Sequence, residues 1–390
     1  MRINSNILSS VLLSGIVMFS VGCSKEDDTP EPVTNNNGNG GNNYSVPATY
    51  TFVDGSNVST VSYDGQKQRL EMLSEMVVYM KTANNVGTTL SATQLKDMYA
   101  NNAYTWVDAP GLGMTGSSKQ LKSKTALGDV GVQTMFENYI DSIANVSTYN
   151  FTNSSQTYGQ YGVWTNGTKN YLMSGNGVEY TQLIEKGLMC AVFYNQMTMN
   201  YLAGISGDDN TAIVSGKTYT VMQHHWDEAY GYFTSEFDYP INGTDRFWGK
   251  YANGREAILG SATKIADAFR RGRAAIDNND YATRDAQVTI INNEMEKVCA
   301  GTAIHYLNDA KASISDPTIK NHVLSEAVAF INGLRYGYNS ANGISITAAE
   351  VDMALGYIGT DYNVVTISDI NMAIDLIASK TGLTSVKASL

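Results

Sequence analysis

The sequence predicts an all-α fold made of helical bundles, with long loops and a short extended segment before the first helix. Apolar residues recur at alternating steps of three and four through the second half of the chain, which is typical of helices packed side by side. The chain has only six prolines, and few strand signals separate the helical segments. One apolar stripe runs through Leu183, Gly187, Cys190, Tyr194, Met197 and Tyr201.

The starts of several helices can be predicted from their capping residues. Residues 48–62 are β-branched and aromatic and predict the extended lead-in. Ser91 and Asp129 are suitable N-caps for early helices, and Thr347 and Ser368 for the last two, because their side-chain oxygens accept from free backbone N–H groups.

Residues 146–175 have no helical period and are rich in Tyr, Asn, Ser and Gly. A loop of this length inside a domain is often functional. A loop that only covers the surface is the alternative interpretation.

The N-terminus has the pattern of a secretory signal: the basic start "MRIN", the apolar run "ILSSVLLSGIVMFSV" and the small residue Gly22. Because Cys23 follows, residues 1–22 resemble a bacterial lipoprotein signal peptide. That resemblance implies a diacylated Cys23 inserted in the lipid bilayer. The acidic run "KEDD" is similar to the surface-export signal of Bacteroidetes lipoproteins, and it also fits a solvated linker. We therefore expect an outer-membrane, lipid-anchored protein, exposed at the cell surface or facing the periplasm.

The rest of the chain divides into a tether and a domain. Residues 23–46 are acidic and rich in Asn and Gly and predict a flexible tether, since they offer little apolar surface to bury. Residues 47–390 form the predicted all-α domain, which the sequence also allows to split into halves, 47–253 and 254–390.

The formal net charge is -11 and the pI is about 4.8, which makes nucleic acid a poor partner. Within the predicted domain, Cys190 and Cys299 are the only cysteines. They fit either two buried small hydrophobes or a disulfide formed in an oxidising compartment.

The stretch "QHHWDEAYGYF" holds two of the four histidines. Helical spacing predicts that His225 points inward with Glu228 at its edge, because residues three and four apart share a face. His305 and Glu326 also fall on apolar stripes, so these four groups could meet in one interior. His224, Asp227 and His322 are secondary candidates.

Histidine and carboxylate side chains from several helices of a bundle are a common metal-ligand set, and they suit iron or zinc. A satisfied polar network without metal is the alternative. The chain lacks the HExxH pattern of zinc peptidases and the GxSxG elbow of serine hydrolases.

Several segments carry a resemblance to a known family. The strings "TVSYDGQKQRLEMLSE", "HHWDEAYGYF", "AFRRGRAAI" and "LSEAVAFINGLRYG" together resemble a Bacteroidetes lipoprotein family known as domain of unknown function 4856. More distantly, the chain resembles the imelysin, or insulin-cleaving membrane protease, family, whose Gly-x-His-x-x-Glu motif falls on His225 and Glu228, with Gln223 in place of the glycine.

The imelysin resemblance implies a double helical bundle formed by duplication. A short internal repeat agrees with it, because residues 224–233 align without gaps on residues 322–331, histidine on histidine and glutamate on glutamate.

The functional prediction is a lipoprotein that binds a metal or a metal-bearing ligand in iron acquisition, and this prediction includes no enzymatic activity. Two alternatives remain open. One is a His-Glu metallopeptidase of imelysin type. The other is a glycan-binding lipoprotein that works with a TonB-dependent transporter, which the Tyr-rich segment 146–175 suggests.

Overall fold

The computed structural model describes residues 44–107, 111–150, 159–241 and 245–390. It confirms the all-α prediction, since helices make up most of these residues and the sheet in them has two strands. The α-helices are α1 (Asp64–Lys81), α2 (Ala92–Ala100), α3 (Val130–Ser147), α4 (Tyr180–Leu188), α5 (Val221–Phe233), α6 (Phe247–Leu259), α7 (Ser261–Asp277), α8 (Tyr281–Ala312), α9 (Pro317–Gly333), α10 (Tyr338–Ala341), α11 (Ala348–Ile358) and α12 (Ile367–Lys380).

The long helix α8 organises the C-terminal part of the fold. It packs along α7 on one side and α9 on the other, and it also contacts α6 and α12. The apolar stripes predicted for these helices are largely buried, as Ile265, Met295 and Phe330 show. Helix α9 in turn packs against α4, which joins the N-terminal helices to the long ones.

Helix α4 continues as π-helix over Met189–Tyr194 and Gln196–Leu202. The predicted stripe from Leu183 to Tyr201 is buried throughout. Cys190 and Cys299 are buried as free thiols. Gly333 is required here because a Cβ at this position would lie 2.3 Å from the Cys190 Sγ atom.

One hydrophobic core extends through both predicted halves of the domain. Met76 and Phe193 belong to the same cluster of buried side chains as Ile304 and Ile377. The predicted boundary between residues 253 and 254 falls inside helix α6, whose Trp248 is fully buried.

Tyr44, which lies in the predicted tether, contacts the domain. Its hydroxyl donates a hydrogen bond to Asp280 Oδ2 at 3.1 Å. Residues 1–43, including the predicted signal peptide and Cys23, lie outside the described residues. None of the helices in the described ranges is both long and apolar enough to cross a membrane.

Residues 146–175 contain more regular structure than predicted. Helix α3 continues to Ser147, and strands β1 (Gly162–Asn166) and β2 (Lys169–Met173) form an antiparallel hairpin with Gly162 opposite Met173. Residues 151–158 of this segment lie outside the described residues. The short strands alternate too briefly to stand out among the surrounding polar residues.

Three of the four predicted helix caps are confirmed. Ser91, Asp129 and Thr347 each accept a hydrogen bond from a backbone N–H in the first turn. Helix α12 is capped by Thr366 instead of Ser368, because Thr366 and Asp369 bond reciprocally in a capping box.

A buried ion pair fastens the extended lead-in to the helices. Asp227 of α5 is fully buried, and its Oδ1 atom lies 3.1 Å from Arg273 Nε of α7. The same carboxylate accepts hydrogen bonds from the Tyr50 hydroxyl at 2.8 Å and the Ser62 backbone N–H at 3.1 Å. The ring of Tyr50 also stacks on Tyr230, with 3.6 Å between centroids. The lead-in is therefore anchored through Asp227.

We expect Asp227→Ala to lower the free energy of unfolding by about 1–3 kcal/mol, because the buried donors that this carboxylate satisfies lose their acceptor. Arg273 keeps a second carboxylate partner, Asp277. Asp64→Ala is the matched control: its side chain is 81 % exposed, and loss of a surface pair costs about 0–1 kcal/mol. Urea unfolding measures both values. Equal losses in the two variants would contradict the anchoring role of Asp227.

Candidate functional site

The two adjacent histidines of α5 do not enter a shared interior. The His225 side chain is 36 % exposed, and its Nδ1 atom lies 2.7 Å from Asp208 Oδ2 in the loop that precedes α5. The expected inward orientation of His225 is therefore corrected. The carboxylate that points inward from this stretch is Asp227, which pairs there with the buried Arg273 of α7.

Glu228 lies in a polar cluster between α1 and α5. Its Oε1 atom accepts a hydrogen bond from Gln66 Nε2 at 2.9 Å. His224 Nε2 lies 3.8 Å from Glu228 Oε2, while His224 Nδ1 is 3.0 Å from the Ser62 carbonyl oxygen. Burial lowers the pKa of His224.

The corresponding pair in α9 has the same spacing. His322 Nε2 lies 3.6 Å from Glu326 Oε2, so the aligned histidine and glutamate form an i,i+4 pair in both helices. Glu326 also lies 3.7 Å from Lys186 Nζ of α4. Burial raises the pKa of Glu326, although the charges of Lys186 and His322 oppose the shift.

The fourth predicted ligand, His305, is on another face of the bundle. Its Nε2 atom lies 3.4 Å from Asp309 Oδ2 on the same helix. Burial lowers the pKa of His305. Its ring contacts the neighbouring Tyr306.

The predicted ligands thus have separate sets of partners. Across residues 44–107, 111–150, 159–241 and 245–390, no three His, Cys, Asp or Glu side chains are placed so that they could hold a metal ion. Binding of iron or zinc stays a prediction, and the donors in these ranges do not supply a ready site for it. The nearest partners of the four are Asp208 for His225, Gln66 for Glu228, Asp309 for His305, and Lys186 with His322 for Glu326.

A different feature has the form of a binding site. A cleft of about 380 Å³ lies between α3, the segments on either side of the hairpin, the start of α4 and the loop after α11. This volume is within the range of about 300–1,000 Å³ that is usual for small-molecule sites. The cleft is lined by Tyr139, Ser142, Asn145, Val146, Tyr161, Ser174, Asn176, Val178, Tyr180, Leu183, Gly359, Thr360 and Tyr362.

The side chains lining this tyrosine cleft are uncharged. Four are tyrosines, and most of the others carry an amide or a hydroxyl group. Tyr139 and Tyr180 contact each other with 6.0 Å between ring centroids. Tyr149, which is 54 % exposed, stacks on Tyr161 at 5.1 Å and extends the aromatic surface beyond the cleft. Burial raises the pKa of Tyr139 and of Tyr362, so both hydroxyls are neutral donors.

Helix α9 fixes the floor of the tyrosine cleft through Glu179. This residue stands between two lining residues, Val178 and Tyr180, and is 1 % exposed. Its Oε2 atom lies 2.5 Å from His322 Nδ1, and its backbone N–H donates to Ser325 Oγ at 2.9 Å. The direction in which the chain enters α4 therefore depends on α9.

Amide side chains join the loops around the tyrosine cleft. Asn321 Nδ2 of α9 donates to Asn363 Oδ1 at 3.0 Å, and Asn363 Nδ2 donates to the Gly175 carbonyl oxygen at 2.9 Å. The turn leaves no room for a side chain at Gly177, which has a φ of +73° and where a Cβ would lie 2.0 Å from Asn321 Nδ2.

Only part of this cleft can be predicted from the amino-acid sequence. Tyr161 and Ser174 belong to the Tyr-rich segment 146–175, for which a functional loop and a surface-covering loop are the two interpretations. The other walls come from α3, α4 and the loop near Tyr362, which are far apart along the chain, and no periodicity connects them.

The described residues define an all-α domain with a cleft lined by uncharged side chains. The model of the family described as Domain of unknown function (DUF4856) matches residues 47–383, and the chain belongs to that family. The resemblance to this family is thereby confirmed. No curated protein and no solved structure matches the chain, so the imelysin resemblance stays a prediction.

The Glu179–His322 contact predicts that the stability of the protein depends on pH. Burial lowers the pKa of His322, but its hydrogen bond to Glu179 and the charges of Glu179 and Glu326 more than offset this, and the pKa lies above the ordinary value of 6.5. A histidine pKa that is higher in the folded state contributes stability below pH 6.5, and this stability is lost as the pH rises through the folded pKa. We therefore expect the free energy of unfolding to fall above about pH 6.5.

His322→Gln should reduce this fall, which urea unfolding between about pH 6 and pH 9 measures. His305→Gln is the matched control, because the pKa of His305 is lowered and its contribution to stability therefore rises with pH, opposite in sign to that of His322. An unchanged pH dependence in His322→Gln would show that His322 is not the responsible group.

Proposed function

We propose that the chain is a glycan-binding lipoprotein that holds its ligand in the tyrosine cleft. The observation that carries this proposal is the lining itself, in which four tyrosines and several amide and hydroxyl groups stand together without a charged side chain.

The chemistry of a sugar ring fits such a lining. One face of the ring presents C–H groups, which pack favourably on the electron-rich face of a tyrosine. The hydroxyl groups at its edge need both donors and acceptors, and Asn145, Asn176, Ser142 and Thr360 offer both. This lining suits a mode of binding without metal, since among the described residues no His, Cys, Asp or Glu lines the cleft.

The location predicted from the sequence agrees with this role. A diacylated Cys23 would hold the domain at the outer membrane, and the residues up to Tyr44 would act as a linker that lets the domain extend away from the bilayer. A glycan captured there would be delivered to a TonB-dependent transporter as the partner protein.

We expect the mature chain, residues 23–390 with Cys23→Ser, to bind a neutral polysaccharide from a panel of starch, xylan, mannan and galactan. Affinity electrophoresis identifies the polysaccharide, and calorimetry with its oligosaccharides measures the Kd. Tyr161→Ala and Tyr180→Ala should each weaken binding by about 1 kcal/mol, or about fivefold, since each removes an aromatic platform.

Tyr281→Ala is the matched control, because Tyr281 is an exposed tyrosine outside the cleft, and its affinity should equal that of the parent. A chelator should leave binding unchanged. Absence of binding to every polysaccharide, or equal affinities in all three variants, would refute the proposal.

The anchor is tested separately. Cys23→Ala should move the protein from the membrane fraction to the soluble fraction of cells, because acyl chains at this position supply the membrane affinity. Ser24→Ala, one residue further on, should leave it in the membrane fraction. Metabolic labelling with a fatty acid followed by fractionation measures both, and a membrane-bound, labelled Cys23→Ala protein would rule out this site of lipidation.

A further inference from the structure

A second pocket, of about 230 Å³, lies between α1, α4 and α6. It shares no lining residue with the tyrosine cleft. We call it the lysine pocket, and it is lined by Ser74, Val77, Glu185, Lys186, Arg246, Phe247, Lys250 and Tyr251.

The charges of the lysine pocket contrast with those of the whole chain. The formal net charge of the protein is -11, yet three cations and one carboxylate line this pocket. The carboxylate, Glu185, is already paired, since its Oε1 atom lies 2.7 Å from Lys186 Nζ and its Oε2 atom 3.6 Å from Lys81 Nζ. It therefore adds little repulsion toward an anion.

The partners of the three cations decide where an anion would bind. Lys186 is enclosed by Glu185 and by Glu326 on its far side. Arg246 lies 2.5 Å from Glu71 through Nη1, and the same atom donates to Ser74 Oγ at 3.0 Å. A guanidinium has five N–H donors, so Arg246 keeps donors for a ligand.

Lys250 differs from the other two cations. Its side chain is exposed at the mouth of the pocket, and it forms no ion pair with any residue in the described ranges. An anionic group between Lys250 and Arg246 would meet both charges.

One residue in the wall of the pocket, Phe247, has a strained backbone conformation. Phe247 has a φ of +52°, which is unfavourable for a residue with a bulky side chain. Such conformations cluster at binding and catalytic sites. Phe247 and Tyr251 add aromatic faces beside the cations: Arg246 lies over the Phe247 ring and Lys186 over the Tyr251 ring.

We propose that the lysine pocket binds the anionic group of a small ligand, with Lys250 and Arg246 as its charged contacts. A carboxylate and a phosphate share this chemistry. The site is independent of the glycan site, and a failure of one leaves the other untouched.

The test uses the mature chain, residues 23–390 with Cys23→Ser, and three probes: inorganic phosphate, glucuronate and glucose. Calorimetry at low ionic strength should show saturable binding of phosphate, glucuronate or both, which identifies the preferred anion. Glucose, the neutral match of glucuronate, should not bind at this pocket. Lys250→Gln should weaken anion binding about tenfold, because a hydrogen bond to a charged group is lost.

Lys250→Arg should restore binding, since it keeps the charge. Lys169→Gln is the matched control, because Lys169 is an exposed lysine on β2 outside the pocket, and it should bind as the parent does. An equal melting temperature for these variants shows that they fold alike. The proposal is overturned if neither anion binds saturably, or if Lys250→Gln binds it as tightly as Lys169→Gln does.

Discussion

The position of the tyrosine cleft depends on one buried contact, between Glu179 and His322. A carboxylate that is removed from water costs free energy unless a partner replaces the solvent. Glu179 is almost fully buried, and its Oε1 atom also accepts a hydrogen bond from Gln182 Nε2 at 3.0 Å. Because Glu179 stands between Val178 and Tyr180, the same contact that satisfies its charge orients two walls of the cleft.

A second buried carboxylate is neutralised by a cation where the lead-in packs on helix α5. There Asp227 is the buried acid and Arg273 its cation, and the adjacent His224 and His225 bond to neighbouring loops at the surface. The buried carboxylates Asp227 and Glu179 therefore connect separate segments of the chain through hydrogen bonds and ion pairs. Helical spacing that points acidic residues inward also suits a metal site. In the described part of this chain, however, these residues bind partners on neighbouring segments and do not meet one another.

The sequence predicted the parts of the structure that local rules decide. Thr347 caps α11 because its side chain and the backbone three residues later are close in any helix, and the stripe ending at Tyr201 is buried because helical spacing alone places it on one face. The partner of a polar side chain is not a local property. Spacing could place His225 beside Glu228 on α5, but it could not show that Asp208, in the loop before α5, would be its neighbour.

The distribution of charge then separates the two pockets by the ligands they can accept. A chain with a net charge of -11 disfavours the approach of anions, and no cation among the described residues lines the tyrosine cleft to counter this field. A neutral ligand is unaffected by the field and gains from aromatic packing. An anion gains binding free energy from a cation that has no ion-pair partner among the described residues, as is the case for Lys250 in the lysine pocket. Neutral and anionic ligands should therefore not compete for one site.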